Sequence, residues 1–428
     1  MRKVLKLFLA LFVVVFWLPS HAFADGKANS CVTCHKEIHE QILNDFNDDV
    51  HAKAGLSCAD CHGGDPKIAD EEAMNPKRGF IGAPKPKDVP QFCGKCHSDP
   101  RFMRSYNPSL PTDQVEKYWT SKHGEMLKTG DNNVATCTSC HHAHGVFAID
   151  DSRSSVYPRN VPATCSRCHS DQARMALYGI PTNQFTQYTD SANVHGYALF
   201  VKNDMGAPAC NDCHGNHGAA PPGVTHVGQV CTQCHTLNGE LFRESPHKDG
   251  FDALGIAECA FCHQASPDIT NPAARLHTIV RPKNSLIGTG GGAVCTQCHT
   301  NGDTGWQTAS KMSAELDSLE VRLERVEHVI ELAERQGMEV TDARWKLKSE
   351  VLQARMELRT SIHGFNLEKF LPFVHSSDTS LDGVEQLGQQ AMQETGRRRT
   401  YFVVMTILLT FVVIALAMKI KAVSRKSD

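Results

Sequence analysis

All 18 cysteines of this 428-residue chain stand in pairs separated by two residues, and a histidine directly follows each pair. The nine motifs are Cys31/Cys34/His35, Cys58/Cys61/His62, Cys93/Cys96/His97, Cys137/Cys140/His141, Cys165/Cys168/His169, Cys210/Cys213/His214, Cys231/Cys234/His235, Cys259/Cys262/His263 and Cys295/Cys298/His299. Two thiols at this spacing can each form a thioether to one vinyl group of a haem, and the histidine then lies beneath the iron as its fifth ligand. Zinc sites and disulfides also use paired cysteines, but neither needs an adjacent histidine every time. The motifs therefore predict nine covalently bound haem c groups.

A haem held by two histidines needs a second imidazole besides the motif histidine. Four histidines, which we call upstream, precede alternate motifs: His51, His123, His195 and His247. Two more, which we call downstream, follow a motif histidine by three residues: His144 and His217. Asp65 and Ser266 take the downstream place after the motifs at Cys58 and Cys259, so three haems must find their sixth ligand elsewhere.

Seven histidines remain for these three haems. We favour His277 and His363, and then His39, while His226 stays open. For His142, His328 and His375 we prefer an ordinary surface or core position. A haem without a protein sixth ligand is where any enzyme activity would lie.

The motifs and their flanking histidines recur with a period of about 66 to 73 residues. His123 precedes the motif at Cys137 and is followed by a second motif at Cys165, and His195 precedes Cys210 in the same way, with Cys231 as the second motif. Weaker copies begin at His51 and at His247. This pattern predicts four two-haem copies plus one leading haem at Cys31, although independent haem loops without duplication remain an alternative.

Two apolar segments frame the chain. Residues 1–24 have a basic start, an apolar run and a small-residue cleavage site, and predict a secretory signal peptide, with an uncleaved anchor as the alternative. Residues 397–420 predict a transmembrane helix, with a buried core helix as the alternative, and residues 421–428 predict a cytoplasmic tail. The haem-bearing part then lies in the periplasm, attached to the cytoplasmic (inner) membrane by a single C-terminal pass.

The charge is unevenly distributed. The two apolar ends contain ten of the 44 basic residues but only one of the 47 acidic residues, so residues 25–396 have 34 basic and 46 acidic side chains, a net charge of −12. Such a surface is a poor match for nucleic acid and attracts a basic redox partner.

The elements that must hold the motifs are helices and loops. We expect a mainly α and irregular, haem-packed domain over residues 25–305, a helical hairpin over 306–365 and a linker over 366–396. One hairpin seam follows alternating spacings of four and three, and a second seam follows a similar pattern. The first seam is Met312, Leu316, Leu319, Leu323, Val326 and Ile330, and the second is Leu347, Val351, Ala354 and Leu358. Gly337 predicts the end of the first helix and Thr341 the start of the second.

The chain resembles the multihaem cytochrome c proteins of anaerobically respiring bacteria, of the doubled-CxxCH or cytochrome c3-like kind. The resemblance depends on Cys-x-x-Cys-His-x-x-His-Gly at Cys137 and Cys210 and covers residues 31 to about 300. The long helices that follow are similar to the C-terminal part of the nitrite reductase and hydroxylamine oxidoreductase relatives. These families imply closely packed haems conducting electrons between a membrane quinol system and a terminal acceptor. No Cys-x-x-Cys-Lys motif, the mark of the catalytic haem in ammonia-forming nitrite reductases, is present.

These observations favour a membrane-anchored electron carrier over a catalyst. Its partners would be a membrane quinol-oxidising complex or other cytochromes, and membrane lipid around the C-terminal helix. The first alternative is a reductase or oxidase of a small nitrogen or sulfur compound at one five-coordinate haem. The second is a scaffold subunit that recruits partners through its hairpin and membrane helix.

Overall fold

The computed structural model describes residues 29–219, 227–264, 277–280 and 283–427. The predicted signal peptide, His226 and Ser266 lie outside these residues. The chain divides into two compact units, Met1–Ile180 with Pro208–Pro221, and Pro181–Ala207 with Pro222–Asp428. The described residues are helical with irregular connections, and they contain only two isolated β-bridges, Asn193–Val280 and Gln264–Ile279.

The first unit consists of short helices. Its α-helices are Ser30–Ile38, Glu40–Asn47, Val50–Lys53, Cys58–His62, Val89–His97, Pro100–Tyr106, Gln114–Tyr118, Lys122–Lys128, Cys137–His141, Val161–His169, Gln172–Ala176 and Cys210–His214. Three single 3₁₀ turns are Glu71–Met74, Pro76–Arg78 and Pro86–Asp88. Buried apolar side chains are scattered along this unit, as Leu43, Val89 and Leu127 illustrate.

The second unit begins with similar short helices and ends in long ones. The short α-helices are Gln184–Thr189, Val194–Phe200, Thr236–Arg243, His247–Leu254 and Glu258–His263, and the 3₁₀ turns are Val227–Gln233, Asn284–Leu286 and Val294–Gln297. The long part comprises Thr304–Arg335, Thr341–Lys346, a π-helical turn at Leu347–Val351, Leu352–Ser361, a 3₁₀ turn at Ile362–Gly364, and Leu367–Ser427.

The predicted hairpin is part of a three-helix bundle. Helix Thr304–Arg335 ends beside Gly337, whose φ is +78°, and the chain returns from Thr341. Ion pairs of Glu320 with Arg355 and of Glu334 with Arg344 show that the two helices run antiparallel. Every residue of the first predicted seam is buried, and so are Val351, Ala354 and Leu358 of the second.

The prediction of a linker over 366–396 is wrong in its structure, because these residues belong to the helix Leu367–Ser427. Its residues Phe370, Val374, Leu381 and Val384 are buried against the other two helices. Arg322 pairs with Asp378 at 2.7 Å and also with Asp382 and Glu385 on this helix. The Ser-, Gly- and Gln-rich composition of this segment masks apolar residues that recur about once per helical turn. Such residues form the buried face of a helix when they pack against neighbouring helices.

The same helix continues into the apolar segment of the C-terminus. Among the described residues it is the one helix long and apolar enough to cross a membrane, with a mean hydropathy of 2.6 over its most apolar stretch and none of that stretch buried. Side chains such as Phe402, Leu409 and Phe411 are more than half exposed. This helix could therefore span a bilayer.

Candidate haem-binding sites

The motif residues lie on short helical turns that begin at or just before the first cysteine. Seven motifs are on α-helices, while those at Cys231 and Cys295 begin on 3₁₀ turns. At Cys58 and Cys137 the preceding Ser57 and Thr136 cap the turn and fix its start. All 18 cysteines lie in the described part of the chain, and none of them forms a disulfide there; Cys34, Cys234 and Cys298 are the exposed members.

The predicted haem-binding cysteines Cys168 and Cys213 each have a neighbouring side chain besides the expected haem vinyl group. In the structure both are half-buried, and Cys168 Sγ accepts a hydrogen bond from Arg174 Nη1 at 2.9 Å. Cys213 lies close enough to Cys210 to raise the pKa of Cys210. The hydrogen bond between Cys165 and Cys210 has a larger effect and lowers that pKa. A thioether sulfur is still a weak acceptor, so the Arg174 contact is compatible with haem attachment, which stays a prediction for both cysteines.

Six motif histidines each face another histidine at a nearly constant distance. The ring centroids are 6.0 Å apart for His51–His97, 6.1 Å for His62–His144, 6.2 Å for His123–His169, 6.0 Å for His141–His217, 5.9 Å for His247–His299 and 6.1 Å for His263–His363. Metal–imidazole bonds of about 2 Å on both sides of one metal leave ring centroids about 6 Å apart. These residues therefore fit an iron held between two imidazoles.

The pairs follow one rule along the chain. Three upstream histidines face the second motif of their own copy: His51 faces His97, His123 faces His169 and His247 faces His299. Near His195, His235 of the second motif in the same copy lowers the pKa of His195, after the larger effect of burial.

The histidine of the first motif in a copy faces a histidine further along the chain. His62 of the first copy faces His144, and His141 of the second copy faces His217 of the third. Adjacent copies are therefore interlocked, because each downstream histidine faces the motif of the copy before it.

The second ring nitrogen of several histidines has a hydrogen-bond partner. His62 Nδ1 lies 3.0 Å from the Gly82 carbonyl oxygen, and His363 Nδ1 lies 3.0 Å from that of Thr360. A metal-binding imidazole usually donates its other N–H in this way, which leaves Nε2 for the metal. Burial lowers the pKa of His141 to about 4, with a further contribution from His217, and so favours the neutral ring that binds metals.

Consecutive motifs lie side by side within each unit. The Cys93 thiol hydrogen-bonds to Cys137, which raises the pKa of Cys93 and lowers that of Cys137. The same relation joins Cys165 to Cys210 in the first unit and Cys231 to Cys259 in the second. Weaker electrostatic contacts link Cys31 with Cys58, Cys61 with Cys96, Cys140 with Cys165, and Cys262 with Cys295. The motifs therefore follow one another in space in the order of the sequence, from the first to the sixth and from the seventh to the ninth.

His144 is positioned by the helix that carries His51. The Val50 backbone N–H donates to the Val146 carbonyl oxygen at 2.9 Å, and Val146 follows His144 by two residues. The segment with the downstream histidine is thereby held against the start of the helix with the upstream one.

His277 has the same surroundings in the second unit. The Val194 N–H, directly before His195, donates to the Ile279 carbonyl oxygen at 2.8 Å, and Ile279 follows His277 by two residues. The side chain of Asn193 also donates to the His277 carbonyl oxygen at 2.5 Å. His277 therefore lies relative to His195 as His144 lies relative to His51, which supports the choice of His277 from the sequence.

His363 comes from the helical part of the second unit. Its ring is nearly parallel to that of His263, at 2°, and Phe365 packs against His247 with ring centroids 4.2 Å apart. Phe365 follows His363 by two residues, so this segment too lies beside an upstream histidine.

The remaining histidines differ in their placement. His39 lies beside His35 on the next turn of the same segment, with ring centroids 5.4 Å apart. His142, His328 and His375 are exposed, and His142 has a φ of +65°.

Four capping residues were missed in the sequence. Two positions before each upstream histidine lies a buried polar residue: Asp49, Ser121, Asn193 and Ser245. Each accepts a hydrogen bond from a backbone N–H at the start of the helix that carries the histidine. Asp, Ser and Asn are the preferred N-caps, so this signal was readable in the sequence at a fixed offset.

The family model for cytochrome c3 matches residues 50–170. No curated protein and no solved structure matches the chain. The match covers the first two copies and supports a multihaem cytochrome c, with covalently bound haem c and a role in electron transfer. The resemblance of the C-terminal helices to the nitrite reductase and hydroxylamine oxidoreductase relatives stays a prediction.

Proposed function

We propose that this protein is a membrane-anchored periplasmic cytochrome with nine haem c groups. It would carry electrons between a membrane quinol system and a downstream acceptor in anaerobic respiration. The observation that carries this proposal is the set of six histidine pairs at 5.9 to 6.2 Å. A carrier needs iron sites closed on both sides, and an imidazole on each side provides that.

Haem c, when bound, supplies reversible one-electron chemistry at its iron. The chain contributes the spacing and the surroundings of the sites. The thiol contacts between successive motifs, such as Cys93 with Cys137, support sites close enough for electrons to pass between neighbours. The exposed cysteines Cys34, Cys234 and Cys298 belong to the first, seventh and ninth motifs, so we assign electron exchange with partners to these three sites.

The exposed apolar helix around Leu409 supports anchoring in the inner membrane. The acidic surface of residues 25–396 supports a basic cytochrome or a basic face of a quinol-oxidising complex as the partner. Like the number of haems, these assignments are part of the proposal.

A reductase or oxidase of a small nitrogen or sulfur compound is the second candidate, and the motif at Cys31 favours it. His35 and His39 project from adjacent turns of one segment. His39 follows the last residue of the helix Ser30–Ile38, and its ring centroid lies 5.4 Å from that of His35. This distance is shorter than the 5.9 to 6.2 Å of the six pairs, so the two rings do not match the spacing of two imidazoles across one iron.

The proposal is tested on the full-length, haem-loaded protein by haem quantification and EPR of the oxidised form. We expect nine haems per chain with low-spin ferric signals that neither nitrite nor hydroxylamine changes. A high-spin signal that shifts on addition of either compound would favour the reductase or oxidase.

The ligand role of His363 is tested with His363→Ala, and His375→Ala is the matched control because His375 is an exposed histidine of the same helical part. His363→Ala should convert one low-spin haem to high-spin, while His375→Ala should leave the spectrum unchanged. Identical spectra for both variants would contradict a ligand role for His363.

A further inference from the structure

Asp49 differs from its counterparts in the other three copies. The corresponding caps Ser121, Asn193 and Ser245 have neutral side chains. Asp49 is 1% exposed, and it is the one cap of the four that has a carboxylate.

The contacts of Asp49 use both of its oxygens. Oδ1 accepts from the His51 backbone N–H at 2.7 Å and lies 2.8 Å from His51 Nδ1. Oδ2 accepts from the Val146 backbone N–H at 2.8 Å. All three partners are N–H donors when His51 binds metal through Nε2, which is the arrangement that an ionised carboxylate requires.

A carboxylate bonded to the second nitrogen of a ligand imidazole increases the electron donation of that imidazole to the metal. A buried negative charge near an iron also favours the oxidised state, which has one more positive charge. Both effects lower a reduction potential. A serine cap such as Ser121 holds the helix but adds no charge.

We propose that Asp49 makes the site of His51 and His97 the lowest in potential among the four sites formed by an upstream histidine and a second motif. Asp49 is a positioning residue, because it acts through His51 and does not touch the iron. Its bond to Val146 also ties the segment of His144 to the same helix, so one carboxylate orders two sites. This inference rests on the proposed function, since it assumes a haem between His51 and His97.

The angle between the two imidazole rings of each pair makes this site distinguishable by EPR. The rings of His51 and His97 are nearly perpendicular at 86°, as are those of His247 and His299 at 90°. The other four pairs have angles of 57° or less. Perpendicular axial imidazoles leave two iron orbitals nearly equal in energy and give a low-spin EPR line shape distinct from that of parallel ones. Of the six pairs with described ring angles, two are therefore expected to give this line shape, and one of them is the site beside Asp49.

The test is a redox titration followed by EPR on the full-length, haem-loaded protein and its Asp49→Asn variant. One perpendicular component should become easier to reduce by about tenfold in its equilibrium constant, which for one electron is about 59 mV. Ser121→Ala is the matched control, because it removes a buried cap from the helix of His123 without removing charge, and it should leave the potentials of the perpendicular components at His51 and His247 unchanged. Asp49→Glu, which keeps the charge, should retain the low potential.

A titration of Asp49→Asn that overlays the unaltered protein, with all haems bound, would overturn the inference and leave the electron carrier intact. A protein that binds no haem between these histidines would overturn the proposed function itself. If Asp49→Asn does not mature, the unaltered protein still decides the question. Its two perpendicular components should titrate at least tenfold apart, and coincident titration would overturn the inference.

Discussion

Gly124 directly follows the upstream histidine His123, and replacing it with alanine should weaken both the fold and the haem site. Gly124 is buried at the start of helix Lys122–Lys128. A Cβ atom there would lie 2.1 Å from the Tyr118 carbonyl oxygen and 2.9 Å from Trp119 Cα. Ordinary contact distances are about 3.5 Å, so the helix and the preceding turn must separate by roughly 1 Å.

The turn cannot move freely, because the Ser121 hydroxyl donates to the same Tyr118 oxygen at 2.6 Å while accepting from the Gly124 N–H at 3.0 Å. Forcing a side chain into such a packed place typically costs about 1–3 kcal/mol of unfolding free energy. A displacement of roughly 1 Å at His123 would also lengthen an iron–imidazole bond of about 2 Å beyond bonding range. Gly124→Ala should therefore lower the denaturant midpoint and convert one haem to high-spin.

Guanidinium unfolding followed by haem absorbance measures the first effect, and EPR measures the second. Gly250→Ala is the matched control, since Gly250 lies on the helix of His247 with nothing within 4 Å of the added Cβ. An alanine there should stabilise the helix by up to about 1 kcal/mol. If Gly124→Ala and Gly250→Ala had the same midpoint and both kept every haem low-spin, the steric argument would be refuted.

Two further substitutions probe the C-terminal helix. Phe370→Ala should reduce the unfolding free energy measured in urea by about 3–5 kcal/mol, because this side chain is 0% exposed in the three-helix bundle. Leu371→Ala, at a side chain that is 38% exposed, should cost far less. Equal losses of unfolding free energy would contradict the packing. Leu409→Arg, in the middle of the apolar segment, should cost about 2.5–3.5 kcal/mol of membrane insertion and move protein from the membrane to the soluble fraction. Leu352→Arg, at an exposed position of the bundle, should leave the protein in the membrane fraction. A Leu409→Arg variant that stays bound to the membrane would count against insertion of this segment.

The sequence predicted the first helical seam because its spacing is fixed by a single helix packing on its neighbours. Met312, Val326 and Ile330 are each 1% exposed. The third helix escaped prediction because Pro372 lies inside it and residues 375–380, between Val374 and Leu381, are all polar. Only contact with the other two helices identifies Phe370, Val374 and Leu381 as core.

The histidines themselves were readable, but their pairing was not. An offset along the chain identifies His144 as a repeated residue, yet it cannot tell that His144 faces His62 rather than the neighbouring His141. His363 was favoured among the seven remaining histidines, and its nearly parallel stacking with His263 depends on the bundle bringing that segment back. Spacing thus predicts which residues recur, whereas tertiary contacts decide which of them meet.

The interlocking of the copies has a consequence for how such an array can begin, grow and end. A copy whose motif histidine faces the next copy, as His62 faces His144, is incomplete when it stands alone. Lengthening the array therefore requires inserting a whole copy between two others, since the new copy then completes its predecessor and is completed by its successor. The last copy has no successor, and His363 from the helical bundle takes that place beside His263. The bundle thus terminates the array as a capping repeat terminates a solenoid, and it does so on the same helical part that leads into the apolar C-terminal segment.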